Sequence, residues 1–121
     1  KYLNDKRIKY LKNEQNSGAA ISRNRALRAA RGQWIAFLDS DDLWMPEKLE
    51  KQICFMKEKG YFFSYTDYEE INAEGNRTGT FVTGPKKITK TGMYNYCWPG
   101  CLTVMYDATK VGLIQISDKE K

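Results

Sequence analysis

The chain has 121 residues, enough for one small domain with a modest core. Hydrophobic residues make up 41% and charged residues 29%, as in a soluble globular protein, and no apolar run has the length of a membrane span or the pattern of a signal peptide. The absence of histidine excludes imidazole acid–base chemistry and histidine-ligated metal, while a net charge of +5 allows anionic partners without choosing among them.

Arg7 to Leu11 is a short strand candidate, with Ile8 and Tyr10 on one face. Asn13 to Gly18 reads as a loop. The stretch Ala19 to Arg31 is rich in alanine, leucine and arginine and predicts a helix, with Gly32 as its C-cap. Asn24 falls on a partly apolar face of that helix. Such an amide is either buried and satisfied by backbone or a ligand contact.

Trp34 to Leu38 is an unbroken apolar run, which predicts a strand buried on both faces and flanked by parallel neighbours. It runs directly into Asp39-Ser40-Asp41-Asp42. In open α/β sheets the ligand lies outside the carboxyl ends of the strands, so the acidic corner is a candidate metal site. Asp39-x-Asp41 on an extended segment sets both carboxylates on one side, where they can share a divalent ion with phosphate oxygens. The plain alternative is a solvated acidic loop that helps to start the next helix. An EF-hand is excluded, because Trp44 stands where the loop needs glycine and a strand precedes it.

The next helix is predicted over Pro46 to Lys59, closed by Gly60, with Leu49, Ile53 and Met56 as its core stripe. Tyr61 to Tyr68 predicts an aromatic-rich strand. Ala73-Glu74-Gly75-Asn76 turns it into a second strand near Thr78 to Thr83, making a hairpin. Ile88 to Tyr96 has room for a short helix. Cys101 to Tyr106 predicts a buried strand, and Asp107 to Gly112 a turn of helix. Cys54, Cys97 and Cys101 are an odd number without zinc-site spacing, and read as reduced thiols. The basic residues between Lys6 and Arg31 do not share one helix face, and an acidic corner follows them, so no nucleic-acid partner is expected. Trp98-Pro99-Gly100 is either a substrate loop or a tight turn with a packed indole.

Taken together, Asn16-Ser17-Gly18, Ser22-Arg23-Asn24, the run from Ala30 through Asp42, and Trp44-Met45-Pro46-Glu47-Lys48-Leu49 resemble a known series. It is the N-x-G, A-R-N, A-x-G-x-[YW]-[IV]-x-F-L-D-x-D-D and W-x-P-x-K-L series of family 2 glycosyltransferases. These are inverting, nucleotide-sugar-dependent enzymes of the GT-A fold. The match is close over residues 13 to 60 and looser from 61 to 112, where it resembles the acceptor half of bacterial capsule and lipopolysaccharide transferases. Ser22 stands where alanine is usual.

The resemblance implies an α/β fold, a partial GT-A (Rossmann-like) domain with a mainly parallel sheet, flanking helices and a β-hairpin. Residues 1–60 would form the nucleotide-sugar side and 61–121 the acceptor side. The family's opening strand with P-x-Y-N, its helix and its D-D-G-S turn are not in this sequence. The chain is therefore expected to be an internal, inactive, self-associating fragment that lacks the N-terminal βαβ. Asn16, Gly18, Arg23, Asn24, Asp39 and Asp41 would line the nucleotide-sugar pocket, with Asp41 and Asp39 holding Mn2+ or Mg2+. Asp118 is the nearest candidate for the catalytic base, although its surroundings depart from the family's E-D or N-D pair, and Trp98 is a candidate acceptor contact. The implied partners are a nucleotide-diphosphate sugar donor and a glycan or lipid-linked acceptor. The implied location is cytoplasmic, at the inner face of the membrane, in cell-surface polysaccharide synthesis. The competing reading is a non-catalytic sugar-nucleotide or anion-binding module.

Overall fold

A computed structural model describes residues 4–87, 89, 91–92 and 99–117. The proposed short helix in 88–96, Cys97, Trp98 and Asp118 lie mostly or wholly outside them. The first element is α1, Gly18–Ala29. Gly18 has a φ of +77°, which lets the loop turn sharply into the helix. The helix stops at Ala30, whose extended backbone ends it two residues before Gly32. Glycine was therefore not needed for this cap.

Strand β1 is Trp34–Ala36, and helix α2 is Lys48–Lys59. The helix starts two residues later than the proline pattern predicts, with Glu47 at its N-cap. Gly60 closes it in a left-handed conformation with a φ of 67°. Its buried face is Gln52 and Met56, while Leu49 is 41% exposed. A polar side chain thus takes a core position that an apolar stripe could not foretell.

The stretch predicted as one strand from Tyr61 divides into β2, Phe63–Ser64, and β3, Tyr68–Ile71. Strand β4, Arg77–Val82, pairs antiparallel with β3 as the predicted hairpin. The Asn72 side chain accepts hydrogen bonds from the Glu74 and Asn76 amides, which fixes the turn. A 3₁₀ turn, Cys101–Thr103, then leads into β5, Met105–Asp107, and a short α3, Ala108–Val111. Only the second half of the predicted Cys101–Tyr106 strand is extended.

The main sheet has the order β1-β5-β2, and both of its pairings are antiparallel. The expectation of a parallel neighbour on each side of Trp34–Leu38 is therefore corrected among the described residues. Strands β1 and β2 do run in the same direction, but β5 lies between them with the opposite sense. An apolar run specifies burial and says nothing about the direction of its neighbour. Burial is also redistributed. Ile35 is buried but Leu38 is 48% exposed, whereas all three residues of β5 are buried.

The core cluster is Leu27 of α1, Ile35 of β1 and Tyr106 of β5, with Phe37 and Ala108 packed against it. The expected strand at Arg7–Leu11 does not form. Ile8 and Tyr10 are 46% and 70% exposed, and the segment turns on itself through Asp5, which accepts from the Ile8 and Arg7 amides. Without a pairing edge, β-favouring residues do not make a strand. No helix among the described residues is long and apolar enough to cross a membrane.

Candidate functional site

The acidic corner begins where β1 leaves the sheet. Asp39 to Asp42 form a turn, with the Asp42 amide donating to the Asp39 carbonyl at 3.2 Å. The extended geometry expected for Asp39-x-Asp41 is replaced by this turn, because the strand ends at Ala36.

Arg23 reaches across from α1. One of its terminal nitrogens, Nη2, donates to both oxygens of Asp39, at 2.6 and 2.7 Å. The pair is half exposed, and Asp39 raises the Arg23 pKa. So the motif residues Arg23 and Asp39, sixteen positions apart, meet in space. With Asp39 neutralised by Arg23, Asp41 is left exposed and unpaired by any ion pair found among the described residues.

Asp42 records the crowding. Burial, and then the charges of Asp41 and Asp39, push its pKa up. A carboxyl whose folded pKa is raised binds its proton more tightly in the folded state. Its contribution therefore destabilises the fold above the ordinary carboxylate range and vanishes below it. Asp42→Asn is expected to raise stability at pH 7 by a solvent-screened amount, up to about 0.5 kcal/mol. That gain should disappear as the pH falls below about 4. Urea unfolding of both proteins at the two pH values checks this.

Asn16 and Gly18 shape the approach to α1. The Asn16 side-chain oxygen accepts from the Gly18 amide at 3.1 Å, and the Ser22 hydroxyl donates to the Gly18 carbonyl at 2.8 Å. Asn24 is turned elsewhere. Its carboxamide both donates to the Ile116 carbonyl and accepts from the Ile116 amide, each at 2.7 Å. Of the two readings of this residue, the structure has the amide satisfied by backbone. Arg28, one turn further along, donates to Gln115 at 3.2 Å, so α1 holds the segment around Ile116 at two points.

Several residues at the site were given no role of their own by the sequence. The Cys101 thiol has its pKa raised mainly by burial. It also lies within the electrostatic reach of Arg23, Asp39 and Asp42, so the 3₁₀ turn borders the acidic corner. Trp44 fixes that turn by donating from its indole to the Leu102 carbonyl at 3.0 Å. Gln33 donates to the buried Asp107 carboxylate at 2.9 Å and accepts the Ala108 amide at 2.8 Å, clasping the start of β1 to the end of β5. The Thr109 hydroxyl, with lesser help from Gln33, holds the Asp107 carboxyl below its usual range. Asp107 also caps α3 through the Thr109 amide.

A groove of about 360 Å³ runs between α1 and β1, lined by Ala26, Leu27, Ala30 and the segment from Trp34, and ends at Arg23 and Asp39. It offers an apolar wall and a charged end, as small-molecule sites do. Among the described residues no group of three or more histidine, cysteine, aspartate or glutamate side chains is gathered to hold a metal. Magnesium or manganese shared with phosphates needs only one or two protein carboxylates, and the hard oxygens of Asp41 and Asp39 are of that kind.

The chain is similar to known proteins. It is 44% identical over 112 residues to TuaG of Bacillus subtilis, a glycosyltransferase assigned to teichuronic acid biosynthesis. It is 49% identical over 107 residues to WfgD of Escherichia coli, and 43% identical over 120 residues to WfaP of the same species. Both are named UDP-Glc:alpha-D-GlcNAc-diphosphoundecaprenol beta-1,3-glucosyltransferases. The three alignments cover 93%, 88% and 98% of this chain, but only 44%, 42% and 47% of those relatives. No solved structure gives a significant match. The family model for glycosyl transferase family 2 matches residues 1–106, which takes in α1, the acidic corner, α2 and most of β5. On that match, and on relatives sharing more than two fifths of its residues, the chain belongs to glycosyl transferase family 2.

Proposed function

We propose that this protein transfers a sugar, with inversion, from a nucleoside diphosphate donor to a hydroxyl of a glycan or lipid-linked acceptor. The setting is cell-surface polysaccharide synthesis at the cytoplasmic face of the membrane. The observation that carries this reading is the Arg23–Asp39 pair. It stabilises one carboxylate just beyond β1 and leaves Asp41 outside every ion pair found among the described residues.

In this reading Asp39, oriented by Arg23, accepts hydrogen bonds from the ribose hydroxyls. The nucleotide lies along the groove between α1 and β1, and Asn16 and Gly18, in the turn before α1, are further contacts for it. Asp41, with Asp39 beside it, would hold Mn2+ or Mg2+. When bound, that ion supplies positive charge to the departing diphosphate. The acceptor oxygen forms its bond to the anomeric carbon as the bond from that carbon to the phosphate oxygen breaks. The electron pair leaves with the diphosphate, and the acceptor's proton passes to a general base. Asp118 is the candidate base, and Trp98 a candidate contact for the acceptor.

Calorimetric titration with UDP tests the donor side directly. With Mn2+ present, UDP is expected to bind at least about tenfold more tightly than in excess chelator, a difference of about 1.4 kcal/mol. Equal affinity under the two conditions would reject the metal assignment. Failure to bind UDP or any other nucleoside diphosphate would reject the donor site.

A further inference from the structure

Lys48 stands at the first position of α2 and is half-buried. Its ammonium lies 4.7 Å from the centre of the Trp44 ring and donates to Gln52 Oε1 at 2.8 Å. Gln52 is spent on structure, since its amide nitrogen donates to the Ser64 hydroxyl and the Thr103 carbonyl, both at 3.0 Å. Burial pushes the Lys48 pKa down. The ion pairs among the described residues are Arg7–Asp5, Arg23–Asp39 and Arg77–Glu69, and none involves Lys48. An ammonium withdrawn from water without a carboxylate is a cost to the fold, only partly offset by the face of an indole. Groups perturbed by burial cluster at functional sites, and an anion arriving from outside would supply the charge partner that Lys48 lacks among the described residues.

The space beside Lys48 fits that visitor. A cavity of about 950 Å³ opens between α2, residues 63–67 and the loop 84–87. Lys51, Lys86 and Lys87 line it together with Lys48. Its single carboxylate, Asp67, accepts the Gly84 amide at 3.2 Å, and the Tyr65 hydroxyl donates to the Pro85 carbonyl. These two bonds fasten the lysine-bearing loop to the strand side of the cavity. Phe55 and Tyr65 add aromatic walls, and the cavity shares no lining residue with the groove beside Asp39.

We propose that this cavity binds an anionic carbohydrate, a sugar ring lying against the aromatic walls whose phosphate or carboxylate is held by Lys48, Lys51, Lys86 and Lys87. The lysines supply charge complementarity from two sides, and the aromatic rings supply flat apolar surface to a pyranose. The cavity's chemistry is independent of whether a nucleotide occupies the Asp39 corner.

The test is titration of the full chain with glucose 1-phosphate, glucuronate, glucose and inorganic phosphate at one fixed ionic strength. Glucose 1-phosphate or glucuronate is expected to bind at least about tenfold more tightly than both glucose and inorganic phosphate, as charge-assisted hydrogen bonds would give. The stronger of the two identifies the anion as phosphate or carboxylate. Lys48→Gln should weaken that binding by about tenfold, and saturating UDP should leave it unchanged. Should Lys48→Gln lose its native circular dichroism, the exposed-loop double variant Lys86→Gln/Lys87→Gln takes its place with the same expected loss. The proposal is overturned if neither charged sugar exceeds glucose, if inorganic phosphate matches them, if UDP displaces them, or if the folded variant binds unchanged. Retained UDP binding alongside any of these results would leave the donor site standing. Loss of UDP binding with the charged sugar still bound would do the reverse.

Discussion

Asp41→Asn is expected to abolish most of the metal-dependent part of UDP binding while leaving the fold intact. Asp41 is exposed and takes part in none of the ion pairs found among the described residues, so its charge has no structural partner to lose. Removing the charge also relieves some of the repulsion that raises the Asp42 pKa. The thermal midpoint should therefore stay level or rise slightly. With Mn2+ present, UDP affinity should fall by about tenfold or more, towards the value measured in chelator. In chelator the variant and the parent should bind alike, which separates loss of a metal ligand from loss of a nucleotide contact. Asp39→Asn is the contrasting variant. It weakens the doubled hydrogen bond to Arg23, and it should reduce UDP affinity with or without metal. Undiminished metal-dependent affinity in Asp41→Asn would remove this residue from the site.

The largest expected loss of stability follows Tyr106→Ala. Tyr106 is the middle residue of β5, the strand that pairs with both β1 and β2, and it is 1% exposed. Its ring packs with Leu27 and Ile35, joining α1 and β1 to the centre of the sheet. Its hydroxyl also accepts the Ile114 amide at 3.4 Å. Truncating a buried aromatic side chain to alanine costs about 3–5 kcal/mol. That is a large part of the roughly 5–15 kcal/mol that holds a typical domain together. Urea or thermal unfolding should show either a much lower midpoint or no folded baseline. Tyr106→Phe keeps the ring and loses only the long hydrogen bond, and should cost about 1 kcal/mol. Equal losses in the two variants would move the weight from packing to the hydroxyl.

The sequence determined the local features that depend on neighbours along the chain. The hairpin was legible because Asn72 and Gly75 satisfy and permit the turn between two β-favouring runs. The end of α2 was legible because Gly60 alone among its neighbours enters the left-handed region without strain. The acidic corner was legible because three carboxylates follow an apolar run within four positions. The family resemblance rested on that stretch together with Asn16-Ser17-Gly18, Ser22-Arg23-Asn24 and the run from Trp44 to Leu49. What the tertiary structure decided was every relation between distant segments. Periodicity could not say that β5 would enter between β1 and β2 with opposite sense, since apolar runs carry no direction. Nor could it give a polar Gln52 a buried place, which depends on Ser64 and the Thr103 carbonyl arriving from other elements. Asn24 and Arg23 are adjacent in the chain, yet the turn of the helix sends one to the Ile116 backbone and the other to Asp39. Helical rotation separates consecutive side chains, and only folding determines what each of them meets.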